Sequence, residues 1–286
     1  MPRFGDTGLA SGKNVRVQVT RVLIALGLSG CASAPSPLVP WWSGSIGTPS
    51  RGVLVAGTEL SRHGEGLRWL RGNNRHWATH RTVAAIQRAA AEVARFRPGP
   101  PLAVGDLSPP NGGGPVYPHF SHRSGRDADL LFYVTTLEGA PIESPGFVHF
   151  GADGIACEEG TGRWFRLDVA REWRLIRSLV LDPEAHVQWI FVSDVVQALL
   201  IDWASADGTP ATTIRRAQAV MAQPKPGGVH DDHIHVRTAC SEEEEAAGCE
   251  TGGPVRAWLA FPGVRGEAPS DAELVAVLVQ TAATDE

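Results

Sequence analysis

Five of the chain's ten histidines fall in two short stretches far apart in sequence, and a fold that uses both in one site has to bring them together. The first is Pro118-His119-Phe120-Ser121-His122-Arg123-Ser124-Gly125-Arg126-Asp127-Ala128-Asp129, and the second is His230-Asp231-Asp232-His233-Ile234-His235-Val236-Arg237. Imidazole and carboxylate together are a donor set that suits Zn²⁺. His122 stands just before the turn-prone pair Ser124-Gly125, and Asp129 lies in the apolar strand-like run that follows, so a loop ligand and a strand ligand can converge. His233 and His235 are two apart and point to the same side of a strand, where one can bind metal while its neighbour moves protons. Three ligands, His122, Asp129 and His235, leave one tetrahedral position open, the pattern of a catalytic rather than a structural zinc. Such an ion lowers the pKa of water to about 7 and polarises a carbonyl, which makes amide hydrolysis feasible near neutrality. Each piece alone has a plainer reading. HxH pairs are common in cores and on surfaces, and His122 with Asp129 can be a hydrogen-bonded turn.

The N-terminal stretch bears on compartment. Lys13, Arg16 and Arg21 precede the apolar run Val22-Leu23-Ile24-Ala25-Leu26-Gly27-Leu28. That run is well short of the ~20 residues of a membrane-spanning helix but has the length of a secretory h-region. It ends in Leu28-Ser29-Gly30-Cys31, which resembles a bacterial lipobox, with Cys31 as the lipidated residue; the plainer reading is an ordinary signal peptide with a chance cysteine. Residues 1–30 are therefore expected to be a lipoprotein signal peptide and 31–50, rich in Pro and Ser, a tether. The domain is expected to occupy 51–286, and the protein to be periplasmic and membrane-anchored. Export places the remaining cysteines in a disulfide-permissive compartment. Cys240 and Cys249 can then staple the polar stretch between them, leaving Cys157 free or buried, and CxxC spacing for a thiolate zinc site is absent.

At 286 residues and 43% hydrophobic, the chain is long enough for a buried core in one large domain or two small ones. Its formal charge of −5 lacks the broad basic footprint that nucleic acid demands, so no nucleic-acid partner is expected. Apolar periodicity predicts helices over 79–96, 169–181 and 194–204, with a capping-box pattern opening another near Ser270. Strands are predicted over 102–104, 128–134, 189–192 and 233–237, with a loop over 106–114. The acidic run at 242–245 reads as a solvated loop. The mixture has no regular βαβ rhythm, so the expected class is α+β, a small antiparallel sheet with flanking helices.

Ser121-His122-Arg123-Ser124-Gly125-Arg126-Asp127-Ala128-Asp129 resembles the SHxxGxDxD segment of penicillin-insensitive murein endopeptidases, which belong to the LAS metallopeptidases. The second stretch is similar to that family's motif ending in HxHVR. The loop Val104-Gly105-Asp106-Leu107-Ser108 also fits, as does Asp168-Val169-Ala170-Arg171-Glu172-Trp173, where the family stretch carries Asn at the position of Glu172. The resemblance runs over 102–249. It implies the LAS/hedgehog/D-Ala-D-Ala peptidase-like fold, one Zn²⁺ held by His122, Asp129 and His235, and His233 as the general base that takes a proton from water. It further implies His119 and His230 lining the site, either as second partners of the chemistry or as scaffolding, and a Cys240–Cys249 cystine. Asp127 is read as a partner of the ligands rather than a ligand. Asp231 and Asp232 are read as solvated turn residues, with orientation of His233 as the other reading.

The implied activity is a zinc-dependent D,D-endopeptidase that hydrolyses the D-alanyl–meso-diaminopimelyl cross-link of peptidoglycan. A LAS-type murein carboxypeptidase, an L-alanyl-D-glutamate peptidase and a non-catalytic zinc-containing cell-wall-binding lipoprotein stay open beside it. A serine nucleophile at Ser121 lacks a G-x-S-x-G elbow, and Gly112-Gly113-Gly114 is followed by no GK[ST], so it reads as the rim of a cleft. Oligomeric state is open.

Overall fold

The computed structural model describes residues 42–114, 119–224, 228–254, 256 and 258. The signal segment, Cys31, most of the tether and the helix expected near Ser270 lie outside the described residues. The architecture is α+β. Its centre is a seven-stranded mixed sheet in the spatial order Met221–Ala222, Val187–Phe191, His233–Thr238, Asp127–Leu131, Leu102–Val104, Leu67–Trp69, His63–Gly64. The middle pairings are antiparallel, as expected, but Val187–Phe191 runs parallel to Met221–Ala222, and Leu67–Trp69 runs parallel to Leu102–Val104.

Helix α1 (His80–Phe96) forms where the period of Val83, Ile86, Ala90 and Val93 predicts it, and Thr79 caps it by accepting from the Thr82 amide. Helix α2 (Val169–Leu181) is capped by Asp168 in the same way. Helices α3 (Asp194–Ala206), α4 (Ala211–Val220) and α5 (Glu242–Ala246) follow. The buried faces of α1 and α2 join Ala128, Leu130, Ile234 and Val236 in one core. Those strand residues alternate with Asp127, Asp129, His233 and His235, so one face of the sheet is apolar and the other carries the polar cluster.

Three sequence expectations are corrected. The tether does not reach Ser50, because Gly44–Gly47 pairs with Gly52–Val55 as a hairpin. That hairpin is docked: the Ser45 amide donates to Glu244 Oε1 at 3.1 Å and the Gly47 amide to the Gly248 carbonyl at 2.9 Å. The strand over 128–134 is broken at Phe132-Tyr133. There the Tyr133 amide donates to Glu172 Oε2 at 3.1 Å instead of to a strand neighbour. The chain then enters a second, four-stranded sheet through Val134–Thr135. Finally, the acidic run is helix α5 with a capping box, not a loop, and Glu244 is buried against Arg81 at 2.8 Å. The Cys240–Cys249 disulfide encloses this helix, and Cys157 is a free thiol, half-buried.

Glu172 stands where the resembling family stretch has Asn, and it is fully buried in α2. Burial pushes its carboxyl up to about 8, with Asp168 adding to the shift against the opposing Tyr133 hydrogen bond. At neutral pH the side chain is therefore uncharged, as an amide would be. The folded state keeps a proton that the unfolded chain releases above about 4.5, so this residue's contribution is fully present below that pH and is lost progressively up to about 8. Glu172→Gln is expected to remove that decline and to be more stable than the parent chain at pH 8, with the advantage shrinking toward pH 4.5. Urea midpoints of the two proteins across this range check it; a difference independent of pH would refute it.

Candidate metal centre

The two histidine stretches meet because their strands are neighbours. His233–Thr238 pairs antiparallel with Asp127–Leu131 in a register that sets His235 opposite Asp129 and Arg237 opposite Asp127. With a side-chain period of two, His233, His235 and Arg237 share the face that carries Asp127 and Asp129. His122 arrives from the loop before the strand in a left-handed conformation, φ +65°, uncommon for a residue with a side chain. The surroundings hold it there: its amide donates to Asp127 Oδ2 at 3.1 Å, and the Arg123 amide donates to the Pro49 carbonyl at 3.1 Å. Gly112 packs against the same loop, φ +60°, so closely that a Cβ would collide with the Arg123 carbonyl. Gly112 and Gly113, expected as part of a cleft rim, thus brace the ligand loop, the Gly113 amide donating to the Arg123 carbonyl at 2.8 Å.

Asp129 is the centre of the arrangement. Its Oδ1 lies 3.2 Å from His122 Nε2, 3.2 Å from His235 Nδ1 and 3.4 Å from His233 Nε2, and its Oδ2 lies 3.7 Å from His119 Nδ1. Both carboxylate oxygens are buried without a hydrogen-bonding donor, and so is His122 Nε2. A buried carboxylate in that condition is costly unless a cation compensates it. Donors bound at 2.0–2.1 Å around a tetrahedral ion stand about 3.3 Å apart, so the spacing fits a zinc ion. Nearby, ligand atoms of His119, His122 and Asp129 all lie within 4.8 Å of one another, as do those of His230, His233 and His235.

Each imidazole has its far side occupied, which leaves its near nitrogen facing the centre. His122 Nδ1–H donates to the Leu107 carbonyl at 3.1 Å. His235 Nε2 lies 3.2 Å from Asp127 Oδ1, a carboxylate that Arg237 Nε also binds at 2.7 Å. His233 Nδ1–H donates to Asp232 Oδ1 at 2.6 Å, so Asp232 orients the histidine and is not a solvated turn residue. Asp231 binds His149 at 2.7 Å, on the outer side of the motif. Asp127 plays the expected supporting part. His230, at φ +53°, donates from Nδ1 to the Gly228 carbonyl at 2.7 Å, with its ring centroid 5.0 Å from that of His233.

Electrostatics follow from this packing. Burial opposes ionisation of Asp127 and Asp129, yet Arg237 and His235 beside the first, and His122 and His233 beside the second, hold both carboxyls far below the usual carboxylate range. Burial likewise works against charge on His233, but Asp129 and Asp232 prevail and push it up to about 10. His122 is raised in the same way, burial being outweighed by Asp129. His230 goes the other way, pushed down to about 4 by burial and by the neighbouring His235 and His233. The centre thus pairs the Asp129 carboxylate with protons on His122 and His233, which a bound cation would displace, beside a neutral imidazole at His230.

A family model described as penicillin-insensitive murein endopeptidase matches residues 45–257. The chain belongs to this family. A penicillin-insensitive murein endopeptidase of Haemophilus influenzae is 25% identical over 228 residues, covering 78% of this chain and 72% of the relative. In this murein endopeptidase chain, the residues singled out from sequence, His119, His122, Asp129, His230, His233 and His235, all face one centre. Sequence reasoning missed the role of Asp106, a fully buried carboxylate that binds His119 Nε2 at 2.9 Å. It also missed the Leu107 carbonyl and two rings lining the cluster. Phe147 stands with its centroid 5.2 Å from that of His233, and Phe191 5.5 Å from that of His235. An acid at the mouth of the apolar strand Leu102–Val104 was the available signal for Asp106; the aromatic residues carried none.

Proposed function

We propose that the protein is a zinc-dependent D,D-endopeptidase that hydrolyses the D-alanyl–meso-diaminopimelyl cross-link of peptidoglycan. The observation that supports this best is the Asp129 carboxylate, buried with neither oxygen in a hydrogen bond and faced by nitrogens of His122, His235 and His233 at 3.2–3.4 Å. His122 through Nε2, Asp129 and His235 through Nδ1 would hold the ion. A bound zinc ion supplies a water of pKa about 7 and an electrophile for the scissile carbonyl. With the charge of Asp129 taken up by the ion, His233 would lose the partner that raises it, give up its proton and act as the general base, steadied by Asp232 with Nε2 toward the centre. It carries the proton from water to the departing amine. His230, neutral and beside it, and His119 on the opposite flank line the place where the tetrahedral carbon forms. Export through residues 1–30 and lipid attachment at Cys31 would place this activity in the periplasm, facing peptidoglycan peptides. That part rests on the sequence alone.

The purified protein is expected to convert cross-linked muropeptide dimers to monomers and to lose that activity with a chelator, regaining it with added zinc. Dimers left intact while single stems are trimmed would make it a carboxypeptidase or an L-alanyl-D-glutamate peptidase. Zinc retained with no cleavage at all would leave a wall-binding protein.

A further inference from the structure

We infer that Asp106 is a positioning residue for His119, fixing the imidazole with Nε2–H bound outward and Nδ1 aimed at the reaction centre. The inference rests on the hydrolytic reading of the site given above. Asp106 is buried, and four side chains donate to its carboxylate: Arg71 from Nε at 3.3 Å and Nη2 at 2.9 Å, Asn73 at 2.8 Å, Arg75 at 3.1 Å and His119 Nε2 at 2.9 Å. A carboxylate held by that many donors can only accept. His119 must then carry its proton on Nε2, and a neutral ring has its lone pair on Nδ1, 3.7 Å from Asp129 Oδ2.

The backbone around Asp106 strengthens the assignment. Its own carbonyl accepts from the Asp129 amide at 2.9 Å, and the Leu107 amide donates to the Arg75 carbonyl at 2.7 Å, so carboxylate, arginines and central aspartate form one connected unit. The next carbonyl, Leu107, accepts from His122 Nδ1 at 3.1 Å. Two consecutive residues of one loop thus orient two imidazoles in opposite senses, His119 presenting Nδ1 and His122 presenting Nε2. A carboxylate placed only to satisfy Arg71 and Arg75 would not need a histidine among its donors. Both arginine side chains reach solvent, at 48% and 27% exposure, so neither depends on Asp106 for a partner.

The test uses the zinc-loaded full chain. Long-range proton–nitrogen spectra of the histidine rings, with His119 assigned by its loss in His119→Ala, are expected to show the Nε2–H tautomer in the parent protein and its loss in Asp106→Asn. Turnover of cross-linked muropeptide dimers is expected to fall about 10–100-fold in kcat in Asp106→Asn, with KM little changed. In a His119→Ala background the same substitution is expected to have no further effect. An Nδ1–H tautomer in the parent protein overturns the inference even if Asp106→Asn does not fold. A kcat loss of equal size in both backgrounds overturns it too, because it shows that Asp106 acts on something other than His119. A parent protein that cuts no muropeptide strikes the proposed function and leaves the tautomer measurement readable.

Discussion

Asp129→Asn is expected to leave a folded chain that neither retains zinc nor hydrolyses muropeptides. Asparagine keeps the shape of the side chain and its strand position opposite His235, but removes the negative charge that three imidazole nitrogens face at 3.2–3.4 Å. The loss of metal affinity should exceed the ~10–100-fold that follows removal of a partner one layer further out. Stability gives the second reading. With chelator present, Asp129 is held ionised by His122 and His233, and removing its charge leaves those two histidines without the partner that raises them, so the variant is expected to melt lower than the parent. Added zinc should raise only the parent's melting point, by about 2.7 kcal/mol of stability at a free concentration 100-fold above Kd. Differential scanning fluorimetry with and without zinc, together with elemental analysis, reads both effects. Equal zinc retention by the variant would remove Asp129 from the ligand set.

His233→Ala is expected to keep its zinc and lose about 10²–10⁴-fold in kcat, the usual worth of a positioned general base. The two histidines of the HxH pair share a strand face yet differ in surroundings. His235 is backed by Asp127 and sits opposite Asp129 in the strand register, whereas His233 lies diagonally from Asp129, bonded to Asp232 and flanked by Phe147. Burial of His235 suits a ligand, and the partial exposure of His233 suits a group that exchanges protons with substrate. Zinc analysis of the variant separates the two roles: loss of the ion along with activity would make His233 a ligand. Preserved turnover would remove it from the mechanism.

Local patterns were legible wherever a periodic apolar face and a cap coincided. Helices α1 and α2 start after Thr79 and Asp168 because a short polar side chain there satisfies an amide that the helix leaves unpaired. The break after Leu131 was not legible. It depends on the Tyr133 amide reaching a glutamate on a helix 39 residues further on, and no local periodicity reports such a contact. Glu244 was misread for the same reason: four acidic residues in a row look solvated until Arg81 and the Ser45 amide are placed beside one of them.

The sequence by itself singled out His122, Asp129 and His235 as candidate ligands with His233 as the base beside them, and put the two histidines of the HxH pair on one strand face, because the alternation of side chains along a strand is a local property. The tertiary structure alone decided that His235 would stand opposite Asp129. It also decided that Asp127, Asp232, Leu107 and Asp106 would each turn one imidazole toward the centre. Strand order and register arise from the packing of the whole sheet against α1 and α2, and a partner brought in by that packing leaves no period in the chain for a reader to find.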